Sequence, residues 1–381
     1  MKTQKILILG ITGNLARLKI LPSIGQYYDS HCRQVNIEIY GYSRSKANLD
    51  EIELIIKSQI KNLNNLSNLP KIILSQGEYW DNTFFDKLES SLTLGDSLAI
   101  YLAVPPNIYT SFLENSCSYS KKSIHILIEK PFGQSIEEAS NILNIVETCD
   151  LQDQVHFLDH YLFKSGLQTE IVRVRDQLKK YNLQIEDIEA VDILATETID
   201  VKNRGGYYDN NGAIKDMFPH LYSFYNFGMS FFDQSISNNW SVLNVAKSQY
   251  SGYKADVNNP NSQTETSFVA LLKNTIDTNH SFTLSLKSGK KYDQKITKLT
   301  ITFKNKYSLE LQLYPKNILK INNDQGNTIQ NFDMNLDKKL DHTRVFENVF
   351  AGDFNHFVPN DRVLEYWQVY DKIVNTLNKI D

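Results

Sequence analysis

Hydrophobic positions over the first 160 residues follow two alternating patterns. Short apolar runs stand at Lys5–Leu9, Ile37–Gly41, Lys71–Leu74, Ser97–Val104, Ile124–Glu129 and Val155–Leu158. Longer amphipathic stretches separate them. Across Asn48–Leu63, Leu49, Ile52, Ile55, Ile56 and Ile60 recur near a 3.6 period, which predicts a helix. Ser135–Val146 repeats that spacing, with Ser135 and Glu138 set as a capping box. Strands alternating with helices predict a parallel sheet covered on both faces.

After about residue 185 the period shortens to two. "AVDILATETID", "TSFVALLKN", "SFTLSLKSG", "KLTITFKN" and "SLELQLYP" alternate apolar with polar, as antiparallel strands with one solvated face do. Arg362–Ile380 returns to helical spacing, and Asn258–Ser262 ("NNPNS") is the clearest loop. The chain has 381 residues, more than one ordinary core accommodates, so the change of period marks a domain boundary. We place an α/β domain at residues 1–160 and an α+β domain with a large, mostly antiparallel sheet at residues 161–381.

Charge and composition narrow the function. A net charge of −4 gives no general affinity for nucleic acid. No apolar stretch approaches 20 residues, so no membrane span is expected. The opening "MKTQKILILG" has an apolar run of only Ile6 to Leu9 and no small-residue cleavage site, unlike a signal peptide. Cys32, Cys117 and Cys149 are odd in number and form no C-x-x-C pair, so neither a disulfide framework nor a zinc site is expected. A reducing, cytoplasmic setting fits these features.

The first strand runs into "GITGNLARLKILPSI", where Gly10, Gly13 and Ala16 give G-x-x-G-x-x-A. A tight turn without side chains brings backbone N–H groups to a pyrophosphate at a helix N-terminus, the signature of a Rossmann dinucleotide-binding domain. The spacing differs from G-x-G-x-x-G, and a glycine turn in any α/β protein would look the same. Its position, after one strand and before one helix, favours the dinucleotide. The second strand ends in "IYGYSRS" with no acid at its tip. Ser43 and Arg44 there suit a ribose 2′-phosphate, so the cofactor reads as NADP rather than NAD. Pro105, Tyr109 and Lys130 follow later strands, where ligands bind in such sheets.

A third cluster is "FLDHYLFK", Phe157 to Lys164. Asp159, His160, Tyr161 and Lys164 crowd the end of an apolar run. With "GITGNLARLKILPSI", "YGYSRS", "YLAVPPNIY", "IEKPFGQSIEEA", "RGGYYDNNGAIKDM", "QYSGY", "LKSGKKYDQK" and "VFAGDFNHFV", it resembles the glucose-6-phosphate dehydrogenase family from about residue 5 to about residue 370. The chain looks shorter than most members, with trimmed connections in its second half.

That resemblance implies an NADP-binding Rossmann domain, a sugar phosphate as the small-molecule partner and a homodimer. It implies oxidation of glucose 6-phosphate to the 6-phosphoglucono-lactone. Gly10, Thr12, Gly13, Asn14, Leu15, Ser43, Arg44, Pro105, Tyr109 and Lys130 become the cofactor set. His160 becomes a phosphate ligand with Tyr161 and Lys164 as companions, and Lys130 also faces the substrate. Glu197 and Asp216 match sugar-hydroxyl ligands, Lys290 a substrate-binding lysine, and Lys295 falls where the family often has arginine. Asp159 pairs with a catalytic histidine, for which His220 is the candidate. Asn14 stands where the family usually has Asp, and Phe163 where it usually has Gly.

Elementary chemistry supports these roles. Oxidising a cyclic hemiacetal removes a hydride from C1 and a proton from its hydroxyl, and a histidine near neutral pKa suits the base. A carboxylate on its other nitrogen fixes the tautomer. The family usually shows four residues between the Asp and the His, whereas three separate Asp216 from His220. One residue fewer turns the following side chains by about 100° on a helix. Pro219 suits a first helical turn, so the helix is expected to start near Asp216. Two readings of His220 stand: the general base, or a core histidine facing Tyr222 or Tyr225.

The D-x-x-x-H spacing also resembles NADP-dependent sugar oxidoreductases that act on other ring carbons, which keeps such an enzyme as an alternative. A non-catalytic NADP-binding paralogue is the third reading. The presence of Asp159, His160, Lys164 and Glu197 argues against it.

Overall fold

The structure is a computed structural model that describes residues 2–61, 69–78, 81–118, 123–164, 167, 170–232, 239–332, 334 and 338–379. The chain forms two compact units. One comprises residues 1–163 and 338–364, the other residues 164–337 and 365–381.

The first unit is a six-stranded parallel sheet made by β1 (Thr3–Leu9), β2 (Asn36–Ser43), β3 (Lys71–Gln76), β4 (Ser97–Leu102), β5 (Ile124–Glu129) and β6 (Val155–Leu158). The order is β3-β2-β1-β4-β5-β6. The six apolar runs read from the sequence are these strands. The helices between them are α1 (Leu21–His31), α2 (Leu49–Lys57), α3 (Asn82–Ser90), α4 (Tyr109–Asn115) and α5 (Ile136–Thr148). Asn48 caps α2 by accepting the Glu51 N–H, and Ser135 caps α5 by accepting the Glu138 N–H. Glu138 reaches back to the Gln134 N–H at 2.7 Å, one residue before the partner a capping box would use. The far end of the stretch Asn48–Leu63 lies outside the described residues.

Register aligns the carboxyl ends of the strands. Leu9 pairs with Tyr42 and with Leu102, Leu102 with Ile128, and Glu129 with Leu158. Gly10, Ser43, Ala103, Lys130 and Asp159 therefore emerge along one edge of the sheet, the edge used for ligands in such folds.

The second unit holds α6 (Ile171–Lys180), β7 (Ile188–Thr196), α7 (Gly205–Met229), β8 (Trp240–Ser248), α8 (Tyr253–Asp256), β9 (Ser267–Thr275), β10 (Ser281–Gly289), β11 (Ile296–Phe303), β12 (Ser308–Tyr314), β13 (Ile318–Asn322) and β14 (Thr328–Phe332). Its eight strands run β14-β13-β12-β11-β7-β10-β9-β8. Six of the seven pairings are antiparallel. β7 and β10 are parallel, with Thr196 beside Gly289. Burial alternates residue by residue along β9 to β12, as a sheet with one covered face requires.

α9 (Asp341–Ala351) belongs to the first unit, and α10 (Asn360–Leu377) contains the point where the chain passes back to the second. The sequence reading had one boundary after residue 160 and assigned everything beyond it to the second domain. The returning segment packs where it does because Val345, Phe346 and Val349 join the core of Ile6, Ile8, Ile24 and Leu127. Polar contacts fasten it. Arg344 Nη1 donates to the Phe163 carbonyl at 2.9 Å, and the Val358 N–H to the Phe157 carbonyl at 2.8 Å.

The expectation that the cysteines form no disulfide is overturned. Cys117, just past α4, and Cys149, at the end of α5, are disulfide-bonded with Cα atoms 4.9 Å apart. The carboxyl ends of two neighbouring helices bring them together, which a separation of 32 residues does not reveal. Cys32 is free. Among the described residues no helix is long and apolar enough to cross a membrane.

Candidate active site

The glycine turn follows directly from β1. Gly10 has φ +89°, and its N–H donates to the Tyr42 carbonyl at 2.7 Å. A Cβ there would strike the Ala103 carbonyl oxygen, so both the backbone angle and the close approach require glycine. The Gly13 N–H returns to the Gly10 carbonyl at 2.9 Å, and a wide helical turn over Ala16–Ile20 leads into α1. Thr12 Oγ1 lies 3.0 Å from Ser45 Oγ, tying this loop to the tip of β2. There Ser43 Oγ donates to the Ser45 carbonyl at 2.7 Å, and Arg44 is exposed. Asn14 is exposed and Leu15 packs against the core. Pro105 is exposed past β4, whereas Tyr109 is buried and donates its hydroxyl to the Glu129 carbonyl at 3.2 Å.

At the end of β6 the buried Asp159 shapes the turn after it. Its Oδ1 accepts the Tyr161 N–H at 2.9 Å and its carbonyl the Leu162 N–H at 3.0 Å, which winds His160–Phe163 into one short helical turn. His160 is thereby turned toward β5, where its Nδ1 lies 2.9 Å from Glu129 Oε1. Glu129 also accepts from the Tyr101 hydroxyl and has His342 Nε2 at 3.6 Å from Oε2. Burial alone would raise its pKa, but the His160 hydrogen bond and the charges of His160 and His342 hold the carboxyl well below its ordinary range. Lys130, the next residue, is half-buried at the strand end, and its N–H donates to the Leu158 carbonyl at 3.2 Å. Neither Glu129 nor His342 is among the candidates read from the sequence. The available signal was Glu129 itself, an acid at the buried end of an apolar strand beside Lys130.

The second unit gathers its own charged group. β7 and β10 run parallel and end together, so Glu197 and Lys290 leave the sheet side by side, with the Glu197 N–H on the Gly289 carbonyl at 3.0 Å. Lys290 Nζ pairs with the Glu197 carboxylate, lies 3.6 Å from Asp216 Oδ2 and sits 5.6 Å from the centre of the Tyr208 ring. Lys290 and Asp216 are both buried. Two carboxylates around one ammonium leave a balance of one negative charge, poised for hydroxyl donors. The Tyr208 hydroxyl is pushed up in pKa by burial and then by the charges of Asp216 and Glu265.

Asp216 and His220 share α7, which is not one regular helix. Gly212 breaks it at φ 70° and ψ 178°. The Glu265 carboxylate fills the space where a Gly212 side chain would sit, and its Oε1 accepts the Ile214 N–H at 3.0 Å. The helix restarts at residue 213, three residues ahead of Asp216, and continues to 229 with Pro219 inside it. The expected start near Asp216, with Pro219 in the first turn, is corrected accordingly. The trans cap from Glu265, not the proline, decides where this helix begins. Four residues apart on one continuous segment, Asp216 and His220 fall on one face. His220 is buried.

Lys164 is half-buried just past the short turn. Lys295 is exposed and stacks over Tyr314 with Nζ 4.7 Å from the ring centre. Thus Lys130, Asp159, His160 and Tyr161 share the strand-end edge of the first unit, Glu197, Asp216 and Lys290 meet in the second, and Lys295 rests on an aromatic ring.

The glucose-6-phosphate dehydrogenase NAD binding domain model matches residues 7–169, and the C-terminal domain model of the same family matches residues 171–224, together more than half of the chain. The chain belongs to the glucose-6-phosphate dehydrogenase family. It is a dehydrogenase that acts on a CH–OH group with a nicotinamide cofactor. Among similar curated proteins, the cytoplasmic glucose-6-phosphate 1-dehydrogenase 6 of Arabidopsis thaliana is 25% identical over 442 residues, covering 98% of this chain and 86% of that protein. Among solved structures, a glucose-6-phosphate dehydrogenase in complex with its substrate glucose-6-phosphate aligns at TM-score 0.77 and 19% identity, over 99% of this chain and 92% of that one. An aldose-aldose oxidoreductase from Caulobacter crescentus, complexed with glycerol, aligns at TM-score 0.63 and 12% identity, over 100% and 98%. At these identities the two structures share the fold.

Proposed function

We propose that this chain oxidises glucose 6-phosphate at C1 to the 6-phosphoglucono-lactone, with NADP as cofactor. The observation that carries the reading is the buried Lys290 held between Glu197 and Asp216, in a chain of a family whose named members act on glucose 6-phosphate. Two carboxylates and an ammonium suit a polyhydroxylated ring, and the burial of Lys290 and Asp216 makes each hydrogen bond to it count for more.

The glycine turn fits the cofactor by its place, joining the end of β1 to the first turn of a helix, where a pyrophosphate binds in such folds. Gly10, Thr12, Gly13, Asn14 and Leu15 would hold the pyrophosphate, and Ser43 and Arg44 the 2′-phosphate, with Pro105, Tyr109 and Lys130 lining the remaining length. When bound, the nicotinamide supplies the acceptor for the electron pair leaving C1.

The chain's own residues do the rest. His160, with Tyr161 and Lys164, holds the phosphate dianion through charge-assisted hydrogen bonds. Glu197, Asp216, Lys290 and Lys295 orient the ring hydroxyls. His220 takes the proton of the C1 hydroxyl, and the Asp159 carboxylate is assigned to stabilising the imidazolium that results. The Asp216–His220 spacing supports a second reading, a related sugar oxidoreductase acting on another ring carbon.

A panel of aldose phosphates, assayed for NADPH formation with identification of each product, separates the two. A lactone from glucose 6-phosphate is expected. A keto sugar would support the second reading, and NADP binding without turnover on any sugar would refute both.

A further inference from the structure

We propose that Glu129 is the positioning residue for His160, and that it aims this imidazole at the substrate's phosphate. The inference rests on the reading of His160 as a phosphate ligand. Glu129, Tyr101, His160 and His342 all belong to the first unit.

Glu129 closes β5 with its carboxylate buried, and polar side chains from three elements converge on it, two of them hydrogen-bonded to it. Tyr101 on β4 donates its hydroxyl. His160 after β6 presents Nδ1 at 2.9 Å. His342 on α9 presents Nε2 at 3.6 Å. The His160 and His342 rings stack at 5.6 Å with planes 21° apart, so α9 backs the imidazole that Glu129 grips. Exposure rises outward along this array: 3% for the His342 side chain, 7% for Glu129 and 23% for His160. Lys130 and Asp159 are the neighbouring charged groups, and the Asp159 Oδ1 is engaged by the Tyr161 N–H.

A carboxylate bonded to Nδ1 puts a proton on that nitrogen and turns Nε2 outward, as outer carboxylates do for histidines that bind metals. A rigid imidazole loses less on meeting a phosphate than a free rotor does. Glu129 therefore acts on the phosphate only through His160, and its loss should be felt by phosphorylated substrate alone.

Steady-state kinetics of the full chain test this with glucose 6-phosphate and unphosphorylated glucose as paired substrates. Glu129→Gln is expected to raise the KM for glucose 6-phosphate at least ten-fold while kcat, the KM for NADP and the kcat/KM for glucose stay within about three-fold. In a His160→Ala background the same change should add nothing. A rise for both sugars alike, or a full additional loss in the His160→Ala background, would overturn the inference. Should Glu129→Gln fail to fold, Glu129→Asp decides. Drawing the charge back from Nδ1 should give the same phosphate-selective loss, and an unchanged KM would overturn the inference. His160→Ala alone reads the underlying assignment: if it leaves the preference for phosphorylated sugar intact, the phosphate reading itself has failed. If it abolishes that preference while Glu129→Gln does not, only the positioning role has.

Discussion

His220 lies one helical turn beyond Asp216, on the unbroken segment that follows Gly212. Three intervening residues are therefore no obstacle to a shared face, because the helix runs through both positions rather than starting between them. On the proposed chemistry, His220→Asn should lower kcat by about 10²–10⁴-fold, the usual worth of a positioned general base. The KM for sugar phosphate should move only a few-fold. Full activity in this variant would remove His220 from the mechanism.

Arg44 at the exposed tip of β2 is assigned to the 2′-phosphate. Charge-assisted hydrogen bonds contribute roughly 1.5–3 kcal/mol each, or about 10- to 150-fold in affinity. Arg44→Ala should thus lower kcat/KM for NADP by that order and leave NAD within about three-fold. An unchanged ratio of the two cofactors would discredit the assignment.

Gly212 and Glu265 together set the start of the helix that carries Asp216 and His220. Alanine at 212 meets a left-handed backbone angle and the Glu265 carboxylate at once. We expect Gly212→Ala to cost about 1–3 kcal/mol in urea unfolding, with activity lost alongside. Unaltered stability would show that the break tolerates a side chain.

His125 on β5 and His156 on β6 face each other with ring nitrogens 3.1 Å apart, and His156 stacks on Phe354. Burial lowers the first to a pKa of about 4. Burial, with the His125 charge second, lowers the other to about 3. The unfolded chain binds these protons near pH 6.5 and the folded chain refuses them, so stability falls as pH drops through that window. For His125 alone the loss is on the order of 3 kcal/mol by pH 4. Urea midpoints should fall from pH 6.5 to 4.5, less steeply in His156→Phe. A flat wild-type profile would contradict this.

Much of the fold was legible because its strands are pure cases. β1, β2, β4 and β5 are buried on both faces and read as continuous apolar runs, and β9 to β12 alternate cleanly. β8 and β14 were missed because few of their side chains are buried, and β13 because it is short. The pairing of β7 with β10 in parallel carries no local signature, yet it brings Glu197 to Lys290. Individual site residues were visible as polar intrusions at strand ends. Their supports were not. Glu265 caps a helix from a loop, and His342 reaches Glu129 from a helix near the other end of the chain. Such contacts depend on tertiary packing, which a one-dimensional period does not encode.

The central claim, oxidation at C1 of glucose 6-phosphate, is tested most directly with substrate deuterated at C1 alone and oxidised NADP. The account predicts that deuterium appears in the reduced cofactor, that the product is the lactone, and that turnover slows when chemistry limits the rate. Reduced cofactor without deuterium, alongside a product that keeps its C1 label, would contradict it.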